Sequence, residues 1–362
     1  MDTLILLKNL PITIDELLGL AKMMRSHDIL TASFDMEQED PYVPETYRLQ
    51  KAVHDTKTIL VADRNLMTRW VNLVKSCRIT EKHRVAAATL AFCQCSGILI
   101  DPAIALYELA ATSGNEKAIA EENIFRLVDN TNPRVLTDIA LGYHEGSPSF
   151  LTEQGHNFKK KQIDFCVSLQ DWQRIYVVVL KIAALSLRGG KSHKVVIDLF
   201  DWMYSDYLFL ATATMLGLCY FSPNSPKKGL LKQLRSNDRE LALAGIRNAT
   251  WDMTLIHKWL QMARRQPENN TLNLLGSFDK KMHAIVRNIL VFPNSDEASE
   301  AKWHDILLEF WKSDKGAYLY RKTRKYFRDA ENPSRLCNKN DTQFSFDKLI
   351  SDGERAIREW HP

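Results

Sequence analysis

The sequence lacks a long hydrophobic run and an excess of charge of one sign. Its longest uncharged apolar stretch, Tyr207 to Phe221, is 15 residues and is interrupted by Thr212 and Thr214, whereas a membrane-spanning helix needs about 20 apolar residues. Lysine and arginine number 48 against 44 aspartates and glutamates, a net charge of +4. We therefore expect no membrane association, and the total charge points to no particular class of partner.

Cysteine is also scarce, with six residues scattered through the chain. Cys219, for example, lies between Leu218 and Tyr220, a context typical of buried, reduced thiols rather than of a disulfide scaffold. The N-terminal residues include the acidic Asp2 and only a short apolar stretch before Lys8, so they do not resemble a secretion signal. We expect a cytoplasmic protein.

Three short apolar runs predict the strands of a buried parallel sheet. Continuous apolar runs are typical of strands that are covered on both faces. Helical patterns separate them, including one continuous helix predicted over 103–128, and 288–292 is compatible with a fourth strand. The three runs are TILVA at 58–62, GILI at 97–100 and LNLLG at 272–276.

Acidic residues follow these predicted strands. Asp63 and Asp279 come at or just after the ends of the first and third strands, and Glu108 lies in the helix after the second. Asp252 lies on the long helix that leads into the third strand. Carboxylates that meet at one edge repel by about 4 kcal/mol per pair at about 4 Å and an effective dielectric near 20. A hard divalent cation, Mg2+ or Mn2+, would offset this repulsion.

The order of these motifs resembles the PIN-like nuclease family. The resemblance implies a three-layer α/β/α domain whose central parallel sheet holds four acids. In that family the acids bind Mg2+ or Mn2+ and hydrolyse phosphodiester bonds, most often in RNA. The motifs are Asp63 after its strand, DPAIALYEL at 101–109, NATWD at 248–252 and LLGSFDK at 274–280.

The resemblance also implies roles for individual residues. Glu122 is an alternative to Glu108 as the ligand from the helix after the second strand, because the two lie on nearly the same face of the predicted helix. The implied catalytic and metal-binding residues are Asp63, Glu108, Asp252 and Asp279, with polar support from Asn65, Ser277 and Asn248.

The long separation between Glu108 and Asp252 implies that a helical insertion divides one PIN-like domain. We expect five segments in chain order. They are a helical segment with an acidic linker at 1–45, the first part of the PIN-like domain at 46–128, the mostly helical insertion at 129–236, the second part of the domain at 237–293, and a basic, aromatic helical tail at 294–362.

The tail contains a candidate nucleic-acid surface. Basic groups neutralise phosphates and aromatic rings stack on unpaired bases, so single-stranded RNA is the expected substrate; a solvated helix face is the alternative. The candidate contacts are Arg321, Lys322, Arg324, Lys325 and Tyr326.

Three further interpretations stay open at this point. In the first, the acids serve only as helix caps and solvated strand ends, since Asp after a strand is a common turn residue. The chain is then a silent relative or an interaction module, with 130–235 for a protein partner or self-association. Arg78 and His83 have the spacing of metal-free HEPN-type ribonucleases. A nuclease of either kind suits a toxin or an antiviral defence effector.

Overall fold

A computed structural model describes residues 10–34, 39–144, 163–224, 230–290, 297–330 and 345–361. Within them the chain forms two compact units, Met1–Val167 with Lys258–His283, and Ser168–His257 with Ala284–Pro362. None of the helices described is long and apolar enough to cross a membrane.

The strands and helices are numbered in chain order. The strands are β1 (Leu30–Ala32), β2 (Lys57–Ala62), β3 (Ile98–Asp101) and β4 (Thr271–Gly276). The helices of the first unit are α1 (Ile14–Ser26), α2 (Pro44–His54), α3 (Arg64–Lys75), α4 (Glu81–Ser96), α5 (Ala103–Ser113), α6 (Asn115–Asp129), α7 (Pro133–Leu141) and α12 (Gln266–Asn269). Those of the second are α8 (Gln170–Arg188), α9 (Ser192–Ser205), α10 (Ala211–Phe221), α14 (Glu297–Trp311), α15 (Ser313–Ala330) and α16 (Phe346–Arg358), while α11 (Arg239–Arg264) and α13 (Lys280–Leu290) have residues in both.

The first unit is built on a four-stranded sheet with the order β1-β4-β2-β3. β2 pairs in parallel with β3 and with β4, and β1 pairs antiparallel with β4. The register places Ala62 opposite Gly276, so β2 and β4 end at the same edge. The mixed α/β fold and the three predicted strands are confirmed. β1 was not predicted, because three residues are too few to show a period.

Two predicted elements are wrong. The single helix over 103–128 is broken at Gly114, whose φ of +87° separates α5 from α6. The fourth strand at 288–292 is helical as far as Leu290, the end of α13, and its last two residues lie outside those described. The apolar residues of α13 follow a helical period instead, since Met282, Ile285 and Val286 are all buried.

Helix α4 lies at the centre of the first unit. It packs against α1, α2, α3, α7 and β3, and its small side chains, among them Ala86, Ala87 and Ala88, are fully buried. Trp70 of α3 donates its indole N–H to the carbonyl of Ala86 at 2.9 Å. This packing fixes α3, the helix that begins directly after Asp63.

The second unit is helical in all of its described elements. α8 packs against α9, α10 and α16. The Tyr176 hydroxyl donates to Glu354 Oε1 at 2.6 Å, and Arg247 Nη2 contacts the same oxygen at 2.7 Å. These charge-assisted bonds tie α16 to α8 and α11.

Gly276 allows β4 to approach the residues beside Asp63. A Cβ at this position would lie 2.9 Å from Leu66 Cδ2 and 3.0 Å from Leu60 Cδ1. Both leucines are fully buried, so neither can move into solvent. The end of β4 therefore needs a residue without a side chain.

We expect Gly276→Ala to lower the free energy of unfolding by about 1 to 3 kcal/mol, because the added methyl overpacks this contact. Urea unfolding followed by circular dichroism measures the change. Gly19→Ala is the matched control, since Gly19 lies in α1 with nothing within 4 Å of its added Cβ, and it should raise stability by up to about 1 kcal/mol. Equal effects of the two substitutions would contradict the packing argument.

Candidate functional site

The candidate site lies where β2 and β4 end. β3 lies on one side of β2 and β4 on the other, so the chain leaves β2 toward one edge of the sheet and later returns past β2 to β4. Ligands of open α/β sheets bind at the carboxyl ends of strands at such a switch point. Asp63 follows β2 and Ser277 follows β4, and the Asp63 amide donates to the Gly276 carbonyl at 2.9 Å.

The Ser277 hydroxyl is the centre of a hydrogen-bonded cluster. It donates to Asp63 Oδ2 at 2.6 Å and accepts from Asn65 Nδ2 at 3.1 Å and from the Asp279 amide at 2.9 Å. One donor and two acceptor positions are thus all used. Asn65 Oδ1 also accepts from the Phe278 amide at 2.9 Å. The predicted supports Asn65 and Ser277 therefore hold Asp63 and the turn to Asp279 together.

Asp63 is an unusual carboxyl group, because its side chain is buried with only 5% of the residue exposed. Burial, with a smaller contribution from the negative charge of Asp279, raises its pKa to about 6. The bonds from Ser277 and from the Arg64 amide act in the opposite direction. A buried carboxyl with a raised pKa at a strand end is typical of functional sites.

Asp279 is the residue directly before helix α13 and caps it. Its Oδ1 accepts from the Lys281 amide at 2.8 Å and from the Met282 amide at 3.4 Å, which is an N-cap. No donor among the described residues reaches its Oδ2. Asp279 also lines a pocket of about 260 Å³ together with Asn65, Arg69, Lys82 and Phe278. One oxygen of Asp279 is structural, and the other remains available to a ligand.

His283 fixes the turn from behind. Its ring is fully buried, with Nδ1 2.7 Å from the Thr31 hydroxyl and Nε2 3.0 Å from the Ser277 carbonyl. A carbonyl only accepts, so Nε2 carries a proton. Sequence reasoning missed His283 and Thr31. The available signal was a histidine one helical turn after Asp279.

A second acidic residue is paired beside the site. Arg64, which directly follows Asp63, contacts Glu121 Oε2 through Nη2 at 2.7 Å, and Glu121 is buried. Sequence reasoning named Glu108 and Glu122 as candidate ligands and gave Glu121 no role. Glu122 lies 3.6 Å from Arg126, and the half-buried Glu108 lies on α5, which packs against β2 and α3.

Asp252 and Asn248 belong to the second unit. They lie one turn apart on α11, and Asn248 Nδ2 is 3.4 Å from Asp252 Oδ2. The cluster around Asp63 is assembled from the first unit alone. The role of Asp252 as a ligand stays a prediction.

The carboxylates near Asp63 determine which kind of metal ion this cluster could bind. Within the described ranges, no group of three or more His, Cys, Asp or Glu is arranged to hold a metal ion. Asp63 and Asp279 supply two carboxylates, close enough for one to raise the pKa of the other. Mg2+ usually takes one or two carboxylates and completes its shell with water and substrate phosphates. Asp63 and Asp279 are the two side chains of this cluster that could serve as such ligands.

The predicted basic surface divides into paired and unpaired residues. Lys322 Nζ lies 2.7 Å from Asp201, Tyr326 donates its hydroxyl to the same carboxylate, and Arg324 lies 2.6 Å from Glu300. These three stabilise the second unit. Arg321, Lys325 and Arg328 are exposed on one face of α15, and no acidic side chain in the described part of the chain pairs with them.

His83 caps helix α4. Its Nδ1 accepts from the Thr80 amide at 3.3 Å, and the Thr80 hydroxyl accepts from the His83 amide at 3.4 Å, which is a reciprocal cap. Burial lowers the pKa of His83. Arg78 is exposed before the helix. The structure thus assigns His83 a structural role, and the HEPN-type alternative stays a prediction.

No protein-family model matches the chain, and neither a curated protein nor a solved structure matches it. The resemblance to PIN-like nucleases accordingly stays a prediction that rests on the order of the motifs.

We expect Asp63→Asn to stabilise the protein in a pH-dependent way. The pKa of Asp63 is higher in the folded chain than its ordinary value of 3.8, so the folded state binds this proton more tightly, and stability is lost as the pH rises from about 4 to about 6. Relative to wild type, the variant should gain about 2 to 3 kcal/mol between pH 4 and pH 7.5.

Urea unfolding at both pH values measures this gain. Asp55→Asn is the control, because Asp55 is exposed and its bond from Lys51 lowers its pKa, so this variant should show no gain as the pH rises. A stability difference for Asp63→Asn that is the same at both pH values would show that burial does not raise this pKa.

Proposed function

We propose that this chain is a metal-dependent endonuclease that hydrolyses phosphodiester bonds, most readily in single-stranded RNA, with Mg2+ or Mn2+ held by Asp63 and Asp279. The observation that supports it most is the buried Asp63 carboxyl, fixed by Ser277 at the switch point of a parallel sheet and close to the half-exposed Asp279. The order of the acidic motifs, which resembles PIN-like nucleases, points to the same chemistry.

The energetics of the cluster favour a cation there. Ionising Asp63 costs free energy because the group is buried beside a second carboxylate, and a divalent cation removes that cost by direct coordination. When bound, the ion would polarise a phosphoryl oxygen and lower the pKa of a water molecule. Ser277 and Asn65 keep Asp63 and the turn to Asp279 in fixed positions, which pre-organises the ligands.

The decisive experiment is cleavage of a labelled single-stranded RNA with Mn2+ or Mg2+. Asp63→Asn and Asp279→Asn should each lower the cleavage rate by at least about a hundredfold, because each removes a ligand charge that stabilises the transition state. EDTA should abolish cleavage. Asp55→Asn, at the opposite end of the same strand, should cleave as wild type does.

Stability separates a lost ligand from a lost fold. Asp63→Asn is expected to be more stable than wild type at pH 7.5, so an inactive variant that melts at a higher temperature has lost chemistry alone. Cleavage that survives EDTA or both substitutions would overturn the proposal and favour the metal-free pair Arg78 and His83. The same assay with Glu108→Gln, Glu122→Gln and Asp252→Asn identifies any further ligand.

The exposed face of α15 supports RNA as the substrate. We expect the double variant Arg321→Gln/Lys325→Gln to raise KM for long RNA by roughly tenfold, with kcat unchanged, because it removes phosphate contacts away from the reacting atoms. Steady-state cleavage at several salt concentrations measures this. Lys322→Gln breaks an internal ion pair, so it should lower stability more than the double variant does. An unchanged KM for the double variant would remove α15 from the RNA surface.

A further inference from the structure

The pocket beside Asp279 contains three side chains that the metal site does not use. Arg69 comes from α3, Lys82 from the first turn of α4, and Phe278 from the turn after β4. The pocket is an open cleft of about 260 Å³. All of its described lining belongs to the first unit, so it is formed without the helical unit.

The charges in this pocket favour an anion. Arg69 and Lys82 form no ion pair with any acidic side chain among the described residues, and Asp279 is the one carboxylate in the described lining. A metal ion on Asp279 would make the pocket more positive still. Two unpaired cations beside a metal ligand are the arrangement that binds phosphate groups.

Phe278 adds an aromatic surface next to these cations. Its side chain is only partly buried against the core. Its backbone amide is held by Asn65 Oδ1 at 2.9 Å, so the residue has a fixed position between Ser277 and Asp279. Aromatic rings beside basic groups bind single-stranded nucleic acids, because unpaired bases stack on them.

We infer that this pocket is the subsite for a nucleotide next to the cleaved bond, with its phosphate on Arg69 and Lys82 and its base stacked on Phe278. This inference rests on the proposed function and adds the side chains that hold the nucleotide. A base in a duplex is already stacked on its neighbours. The subsite therefore selects single-stranded RNA or DNA.

Binding in EDTA tests the subsite without any chemistry. The probe is a fluorescein-labelled single-stranded RNA of mixed sequence, and fluorescence anisotropy gives the Kd. Arg69→Gln and Lys82→Gln should each weaken binding by roughly three- to tenfold and reduce the slope of log Kd against log salt by about 0.7. Lys75→Gln and Lys117→Gln, exposed elsewhere in this unit, are the matched controls and should leave both values unchanged.

Phe278→Leu tests stacking, since leucine keeps apolar packing and removes the ring. We expect Kd for the RNA to rise at least about fivefold. The same variant should bind an abasic oligonucleotide, or a duplex of the same sequence, as wild type does. An equal loss on all three probes would mean a structural effect and would overturn the stacking assignment. Wild-type affinities for Arg69→Gln and Lys82→Gln would overturn the phosphate assignment.

The two proposals fail in different ways. If the wild type binds with the expected pattern but does not cleave RNA with Mn2+, the subsite stands and the nuclease proposal falls. If the wild type cleaves, while the pocket variants bind and cleave as it does, the nuclease proposal stands and the subsite falls. Thermal melting of each variant confirms that it is folded before binding is compared.

Discussion

The hydrogen bond from Ser277 to the buried carboxyl of Asp63 is the interaction on which the rest of the site depends. It joins the ends of two parallel strands that are adjacent in the sheet but separated by more than two hundred residues. The oxygen of the same Ser277 hydroxyl accepts hydrogen bonds from the Asn65 side chain and from the Asp279 amide. One side chain thereby connects the end of β2, the turn after β4 and the N-cap of α13.

The ionised form of Asp63 lowers the stability of the folded chain, and it supplies a carboxylate that can take part in chemistry. A carboxyl group that is buried beside another carboxylate is costly to ionise, and natural sequences keep such groups where they are used. The surrounding structure compensates with close contact at Gly276, with the Arg64–Glu121 pair, and with His283 under the Ser277 carbonyl. Helix α4, whose small side chains are fully buried, supports α3 directly after Asp63.

The sequence predicts the parts of the fold that carry a periodic or continuous apolar pattern. β2, β3 and β4 are such parts, whereas the supporting roles of Asn65 and Ser277 came only from the resemblance to PIN-like nucleases. β1 shows no apolar or alternating pattern, and it forms a strand because it pairs with β4. Arg64–Glu121 and Thr31–His283 join residues far apart in the chain, and only the packing of the helices shows which charged or polar groups meet. The helix break at Gly114 depends on a positive φ that the surrounding apolar pattern concealed.

The long sequence separation between β2 and β4 has a consequence for biosynthesis. Contacts of high sequence separation form late, because the entropy of closing the loop is lost before they stabilise the chain. A ribosome adds about 5 to 20 residues each second, so Asp63 waits at least several seconds before Ser277 is made. During that interval the nascent chain carries α3 and α4 but no assembled carboxylate cluster. Activity that depends on this cluster begins only after the β4 strand has been synthesised and has entered the sheet.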